Sequence, residues 1–230
     1  MFPTARFESS YRAESEDRAT IVSVEGGVVL AVADGVGGQS HGGAAAEYAI
    51  GRVTEFAGSG DISDPRRWYA LVKAIDHELL TADNLGQTTL AAVALLERAV
   101  VGVSVGDSGA LLIRAEGHYD LTEAQQRKPY LGSGAEPVPF ALPLPSEGTL
   151  VVATDGLWKY APVEQILSDA LNPDLDITVQ QIARRACLPS GKYPDDIAVL
   201  LCRFTRPATS WSARLTNRLT RFFQPYESRK

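Results

Sequence analysis

Apolar positions along the chain fall into two rhythms. Seven short runs, ATIVSV, VVLAVAD, TTLAAVALLE, AVVGVSV, ALLIRAE, TLVVATD and IAVLLCRF, are rich in Val, Ile and Leu and are bounded by Gly, Asp or Pro, which predicts strands. Several are apolar at both alternations, as strands covered on both faces are. Four stretches carry a helical period instead: GAAAEYAIGRVTEF, PRRWYALVKAIDHELL, PVEQILSDAL and DITVQQIARRA. Pro65 stands at the start of the second, where a helix tolerates it. The order is two strands, two helices, a block of strands, two helices and a last strand. Strict strand–helix alternation is missing, which argues against a doubly wound parallel sheet. Two antiparallel sheets with helices on their outer faces, an α+β fold, suit the pattern better.

Two segments stand outside these rhythms. GAEPVPFALPLPSEG holds four prolines and reads as an ordered surface connection between strand blocks. After Phe204 the composition shifts: TRPATS reads as a linker, and WSARLTNRLTRFFQ as an amphipathic helix. Trp211, Leu215, Leu219, Phe222 and Phe223 share one face of it, with Arg214, Arg218 and Arg221 beside them. The chain therefore divides into a globular domain, 1–204, and an appended linker and basic helix, 205–230. That helix either packs on the body or contacts an anionic membrane surface or a partner.

Composition narrows the function. The 230 residues carry a net charge of −6. Seven basic residues and one acid lie from Arg203 onward, so the body before them is more acidic still. An acidic body argues against nucleic acid as the partner and suits bound divalent cations. There are two cysteines, the opening MFPTARFESS lacks the apolar core of a signal peptide, and no apolar run is long enough to span a bilayer. The expected setting is the cytoplasm, with both cysteines as buried hydrophobes.

The chemistry concentrates in acidic residues at strand ends. Asp34 closes LAVAD before a glycine-rich stretch, Asp107 lies in SVGDSG, Asp155 closes LVVATD, and Asp195 precedes IAVLLC. RAESED adds Arg12, Glu16 and Asp17 ahead of the first of the predicted strands. A strand end is a rigid place for a side chain, and several such ends can meet at one edge of a sandwich. Carboxylates that converge must protonate or bind cations. Carboxylates with backbone carbonyls and water select hard ions such as Mg²⁺ or Mn²⁺, and a glycine after Asp34 lets the Gly35 carbonyl reach an ion that Asp34 holds. No phosphate-binding GxxxxGK[ST] loop and no GxSxG nucleophile elbow is present. The histidines His41, His77 and His118 lack metal-ligand spacing.

Taken in order, these motifs resemble the metal-dependent serine/threonine phosphatases of the PP2C family over about residues 8–204. RAESED is similar to the family's Arg-x-x-Asn-Glu-Asp, with Ser15 for the asparagine. VADGVGG resembles Asp-Gly-x-Gly-Gly, and QTTLAAVAL resembles Gly-Thr-Thr-Leu with Gln87 for the glycine. VSVGDSGALL, LVVATDGLW and PDDIAVLL resemble the family's Val-Gly-Asp-Ser-Arg, Ser-Asp-Gly-Leu and Asp-Asn-x-Thr-Val segments. The resemblance implies a four-layer α-β-β-α sandwich, two central antiparallel β-sheets flanked by helix pairs. It implies two Mn²⁺ or Mg²⁺ ions, with a weaker third, and hydrolysis of phosphoserine or phosphothreonine by direct attack of a metal-bridging water. Asp34 would bridge both ions and Gly35 would lend its carbonyl. Glu16, with Asp17 through water, would hold one ion, and Asp155 and Asp195 the other. Asp107 would serve the third, and Arg12 the phosphate. The implied partner is a phosphorylated protein, a kinase or its target, acted on by a monomer. A pseudophosphatase that binds phosphoproteins, or a hydrolase of small phosphoesters using the same site, are the alternatives. LTEAQQRKPYLGSG runs almost straight from the family's Leu-Thr to its Leu-Gly segment, which implies a nearly absent flap and an open site.

Overall fold

The computed structural model of the chain describes residues 2–11, 14–36, 41–59 and 61–205. Ten strands run in order: β1 Thr4–Ser9, β2 Asp17–Val24, β3 Gly27–Asp34, β4 Leu90–Leu96, β5 Ala99–Val105, β6 Gly109–Arg114, β7 Gly117–Asp120, β8 Val138–Pro143, β9 Glu147–Ala153 and β10 Ile197–Thr205. Helices α1 Gly42–Ser59 and α2 Pro65–Thr81 lie between β3 and β4, and α3 Asp155–Trp158, α4 Val163–Asp169 and α5 Leu175–Arg184 between β9 and β10. One sheet has the order β1-β10-β9-β6-β7 and the other β2-β3-β4-β5-β8. Every pairing is antiparallel.

The four layers follow from strands that are apolar on both faces. In β3, Val28, Leu30 and Val32 point into the core between the sheets, while Val29, Ala31 and Ala33 point at α1 and α2. In β10, Ala198, Leu200 and Cys202 face the other sheet, and Val199 and Leu201 face α3–α5. A period of two with both phases apolar can only be buried in the middle of a stack. The α1 face is made of Ala45, Ala46, Ala49, Val53 and Ala57, small residues that let the helix lie close on the sheet. Helix α2 begins at the Asp64 N-cap, whose carboxylate accepts from Arg66 N, and buries Trp68, Val72, Ile75 and Leu79 at helical spacing.

Two strands correct the sequence reading. The proline-rich stretch, expected as a connection, contains β8. That strand pairs with β5 at the edge of its sheet, the place where Pro139 and Pro143 cost no ladder to a further neighbour. The opening segment, given no element, forms edge strand β1 against β10. Between β7 and β8 the chain makes only turns and isolated bridges. The linker and basic helix expected over 205–230 and the phosphate-binding candidate Arg12 fall outside the described residues, except Thr205 at the end of β10. Among the described residues no helix is long and apolar enough to cross a membrane.

Candidate active site

The register of the first hairpin builds the centre of the site. Asp17 and Asp34 lie directly opposite each other on β2 and β3, a pairing of like charges that a sheet ordinarily avoids. The Asp34 backbone is clamped: its N–H donates to Thr89 Oγ1 at 2.9 Å, and its carbonyl accepts from Thr89 N and Thr88 Oγ1, both at 2.9 Å. Thr89 Oγ1 lies 2.6 Å from Ser108 Oγ, which ties the TTL motif to the GDSG turn that carries Asp107. Gly106 in that turn has φ +92°, where glycine alone is unstrained.

The second sheet supplies the opposite wall. Asp155 opens α3 at the end of β9, and Thr154, just before it, donates to Asp17 Oδ2 at 2.6 Å and accepts from Ala198 N at 2.9 Å. The glycine of each strand–Asp–Gly pattern permits a close approach. A Cβ on Gly156 would sit 2.0 Å from the Asp196 carbonyl oxygen, and one on Gly35 would sit 2.4 Å from the Gly42 carbonyl carbon. The first contact brings Asp155 beside Asp195; the second packs the end of β3 on the start of α1. Gly35 N also donates to the Glu16 carbonyl at 3.2 Å. Asp196, buried, accepts from Tyr11 N at 2.7 Å and Glu16 N at 2.9 Å, and so fastens the loop that carries Glu16.

The result is one cleft of about 260 Å³ between the ends of the two sheets, lined by Glu16, Asp34, Gly35, Asp107, Asp155 and Asp195. Asp17 lies behind this wall, buried and held by the Thr154 hydroxyl. Every described candidate from the sequence is thus at the cleft or directly beneath it. Val36, Thr89, Tyr130, Lys159 and Asp196 also line it, and sequence reasoning singled out none of them as part of the site. Thr89 and Asp196 sit within motifs already quoted, and Lys159 left the signal of its spacing of four from Asp155. Tyr130 left none, because the turn that delivers it is placed by Asp76 of α2. That buried carboxylate accepts from Gly132 N, Gly134 N and Ala135 N at 2.8, 3.2 and 3.1 Å.

Concentrated charge shapes the electrostatics. Burial, then the charges of Asp17 and Asp155, push Asp34 up to about 9 from the usual 3.8. Burial likewise pushes Asp17 up to about 7, against the Thr154 hydrogen bond and with help from Asp196. Asp155 is raised by burial in spite of its contact with Lys159. Burial pulls the Lys159 ammonium down, but its hydrogen bond to Asp155 and the charges of Asp155, Asp195 and Asp107 outweigh that and raise it. Arg127 forks onto Asp107 Oδ2 through Nη2 at 2.8 Å and Nε at 3.3 Å from an exposed position on the rim. Among the described residues no three His, Cys, Asp or Glu side chains are drawn together tightly enough to enclose an ion. The oxygens that face the cleft are nonetheless of the hard type that Mg²⁺ and Mn²⁺ take, and the raised carboxyls mark an excess of negative charge that a cation would relieve.

The fold is that of a group of bacterial protein phosphatases. A bacterial serine phosphatase superposes with a TM-score of 0.79 at 17% identity, covering 91% of this chain and 100% of that one. The phosphatase Stp1 from Staphylococcus aureus gives 0.76 at 18%, covering 89% and 95%. The catalytic domain of PstP, solved with two manganese ions, gives 0.76 at 21%, covering 89% and 98%. No curated protein sequence matches significantly. The family model for protein phosphatase 2C matches residues 10–176, and the chain belongs to that family. It is a serine/threonine protein phosphatase.

Proposed function

We propose that the chain hydrolyses phosphoserine and phosphothreonine at this cleft, with Glu16, Asp17, Asp34, the Gly35 carbonyl, Asp107, Asp155 and Asp195 serving Mn²⁺ or Mg²⁺. The observation that carries the reading is the meeting of four strand-end aspartates and Glu16, distant in sequence, on one small cleft. The two manganese ions of PstP, which shares the fold, support it. Asp34 and Asp17, facing each other across β2 and β3, hold the centre of the donor set. Asp155 and Asp195 hold the wall from the other sheet. Asp107 serves a further, weaker position. Bound ions would supply Lewis-acid stabilisation of the phosphoryl oxygens and a bridging water acidic enough to attack phosphorus. Arg12, outside the described residues, is the proposed clamp on the phosphate, a bidentate task that suits a guanidinium.

The substrate proposed is a phosphorylated protein, a kinase or a kinase's target. The segment between β7 and β8 holds only turns and isolated bridges, which supports a cleft that a phosphorylated segment of a folded protein can reach. The test is p-nitrophenyl phosphate hydrolysis with Mn²⁺, with Mg²⁺ and after exhaustive chelation, for the full chain and for Asp155→Asn. Phosphopeptides and small phosphoesters are then compared as substrates. Turnover is expected to require metal, to fall by orders of magnitude in the variant and to favour phosphopeptides. Full activity after chelation would overturn the assignment of the metal site.

A further inference from the structure

Lys159 occupies an unusual place for a lysine. It follows the one-turn helix α3, and its backbone N–H donates to the Asp155 carbonyl at 2.9 Å, which fixes its stem one turn from Asp155. Its ammonium contacts Asp155 Oδ2 and lies 3.7 Å from Asp195 Oδ2. Those two carboxylates come from different elements, α3 and the approach to β10, and the close packing of Gly156 on Asp196 keeps them adjacent. Among the described residues Lys159 is the only Lys or Arg lining the cleft. Arg127 reaches Asp107 from an exposed rim position, with its side chain 72% exposed. Asp34 and Asp17 make no ion pair with a lysine or arginine among the described residues.

An ammonium on Oδ2 of both carboxylates competes with a divalent ion for that pair. Both take the same oxygen lone pairs, and a +1 and a +2 charge a few ångströms apart repel. A lysine tethered one turn from its carboxylate also competes at a fixed, high local concentration that dilution does not lower. We propose that Lys159 is the resident cation of the Asp155–Asp195 wall, and that a divalent ion binds there only by displacing its ammonium. The cleft then loads unevenly. The position centred on Asp34 fills first, and the one on Asp155 and Asp195 fills last and most weakly, so that the complete centre forms only at the higher metal concentrations. Lys159 is in this sense a residue that sets metal affinity, and the inference rests on reading Asp155 and Asp195 as ligands.

The test is Mn²⁺ binding, measured apart from activity. The full chain is stripped with chelator and titrated with Mn²⁺ by calorimetry, with free Mn²⁺ counted by electron paramagnetic resonance. Wild type is compared with Lys159→Met, Lys159→Gln and Lys159→Arg. The weaker site is expected to tighten about tenfold or more in the Met and Gln variants, with the tighter site nearly unchanged and the Arg variant close to wild type. Two uncharged replacements, one apolar and one polar, are used so that one folded variant, checked by circular dichroism, is in hand. Identical isotherms for all four proteins, or weaker binding once the ammonium is removed, would overturn the role of Lys159 while leaving the metal site intact. Absence of Mn²⁺ binding by every protein, wild type included, would overturn the metal site and this inference together.

Discussion

Replacing Asp34 by Asn separates the cost of this carboxylate from its use. In the metal-free protein Asp34 is raised from 3.8 to about 9 by burial and by the charges of Asp17 and Asp155. At neutral pH it is therefore protonated when folded and ionised when unfolded. Folding takes up a proton at this position, so its contribution to stability is most favourable at low pH and is lost as pH rises from about 4 to about 9. Each pH unit in that window is worth about 1.4 kcal/mol, which gives about 4 kcal/mol at pH 7. Asp34 is only half-buried and opens on the cleft, where solvent carries part of the load, so roughly 2–4 kcal/mol is the working range. Asn has nearly the same shape and no charge at any pH. The bonds from Thr88 and Thr89 go to the Asp34 main chain and survive the exchange. Asp34→Asn is thus expected to be more stable than wild type in EDTA at pH 7, by roughly 5–15 °C in Tm for a chain of this size. The gap should widen from pH 6 to pH 8. Mn²⁺-dependent turnover of p-nitrophenyl phosphate should fall by orders of magnitude in the same variant. Urea denaturation at three pH values in EDTA, beside the turnover assay, measures both. A variant less stable than wild type, or a gap that does not change with pH, would refute the like-charge account of this hairpin end.

Three further outcomes follow from the same geometry. Mn²⁺ binding at pH 7 should release protons, because Asp34 and Asp17 are raised to about 9 and about 7 and must ionise to coordinate; calorimetry in buffers of different ionisation enthalpy counts them, and affinity should rise with pH. Asp76→Ala removes the acceptor for three backbone N–H groups and should cost about 3–5 kcal/mol in urea denaturation, with Asp76→Asn intermediate; a change near zero would show that water replaces the carboxylate. Deleting residues 206–230 should leave p-nitrophenyl phosphate turnover largely intact, since every proposed ligand precedes them, and co-sedimentation with anionic liposomes, full chain against truncation, shows whether that segment contacts membranes.

The layers were legible in the sequence because burial leaves a periodic trace. A strand apolar at both phases, such as β3 or β10, has to lie in the interior of a stack, and the Pro65 and Ala-rich patterns placed α1 and α2 to within a few residues. Edge strands leave a weaker trace. β1 and β8 pair on one side only, need no continuous apolar run, and tolerate the prolines that made β8 read as a connection. The acidic candidates were legible for a different reason: a carboxylate at the end of an apolar run is conspicuous, and glycine beside it marks crowding. What crowded those glycines was not legible. Gly35 is pressed by Gly42 and Gly156 by the Asp196 carbonyl, contacts between segments that only the closed sandwich brings together. The same holds for the charges. Local sequence shows that Asp17, Asp34, Asp155 and Asp195 are acidic, but the raised pKa values of Asp17, Asp34 and Asp155 come from burial and from the fields of neighbouring carboxylates. The partner of Asp155 and Asp195 is a lysine whose position was readable as a helical neighbour of one and unreadable as a neighbour of the other. Periodicity is a property of each element and is written in its own residues; convergence at a cleft is a property of how two sheets stack, and it exists only in the tertiary structure.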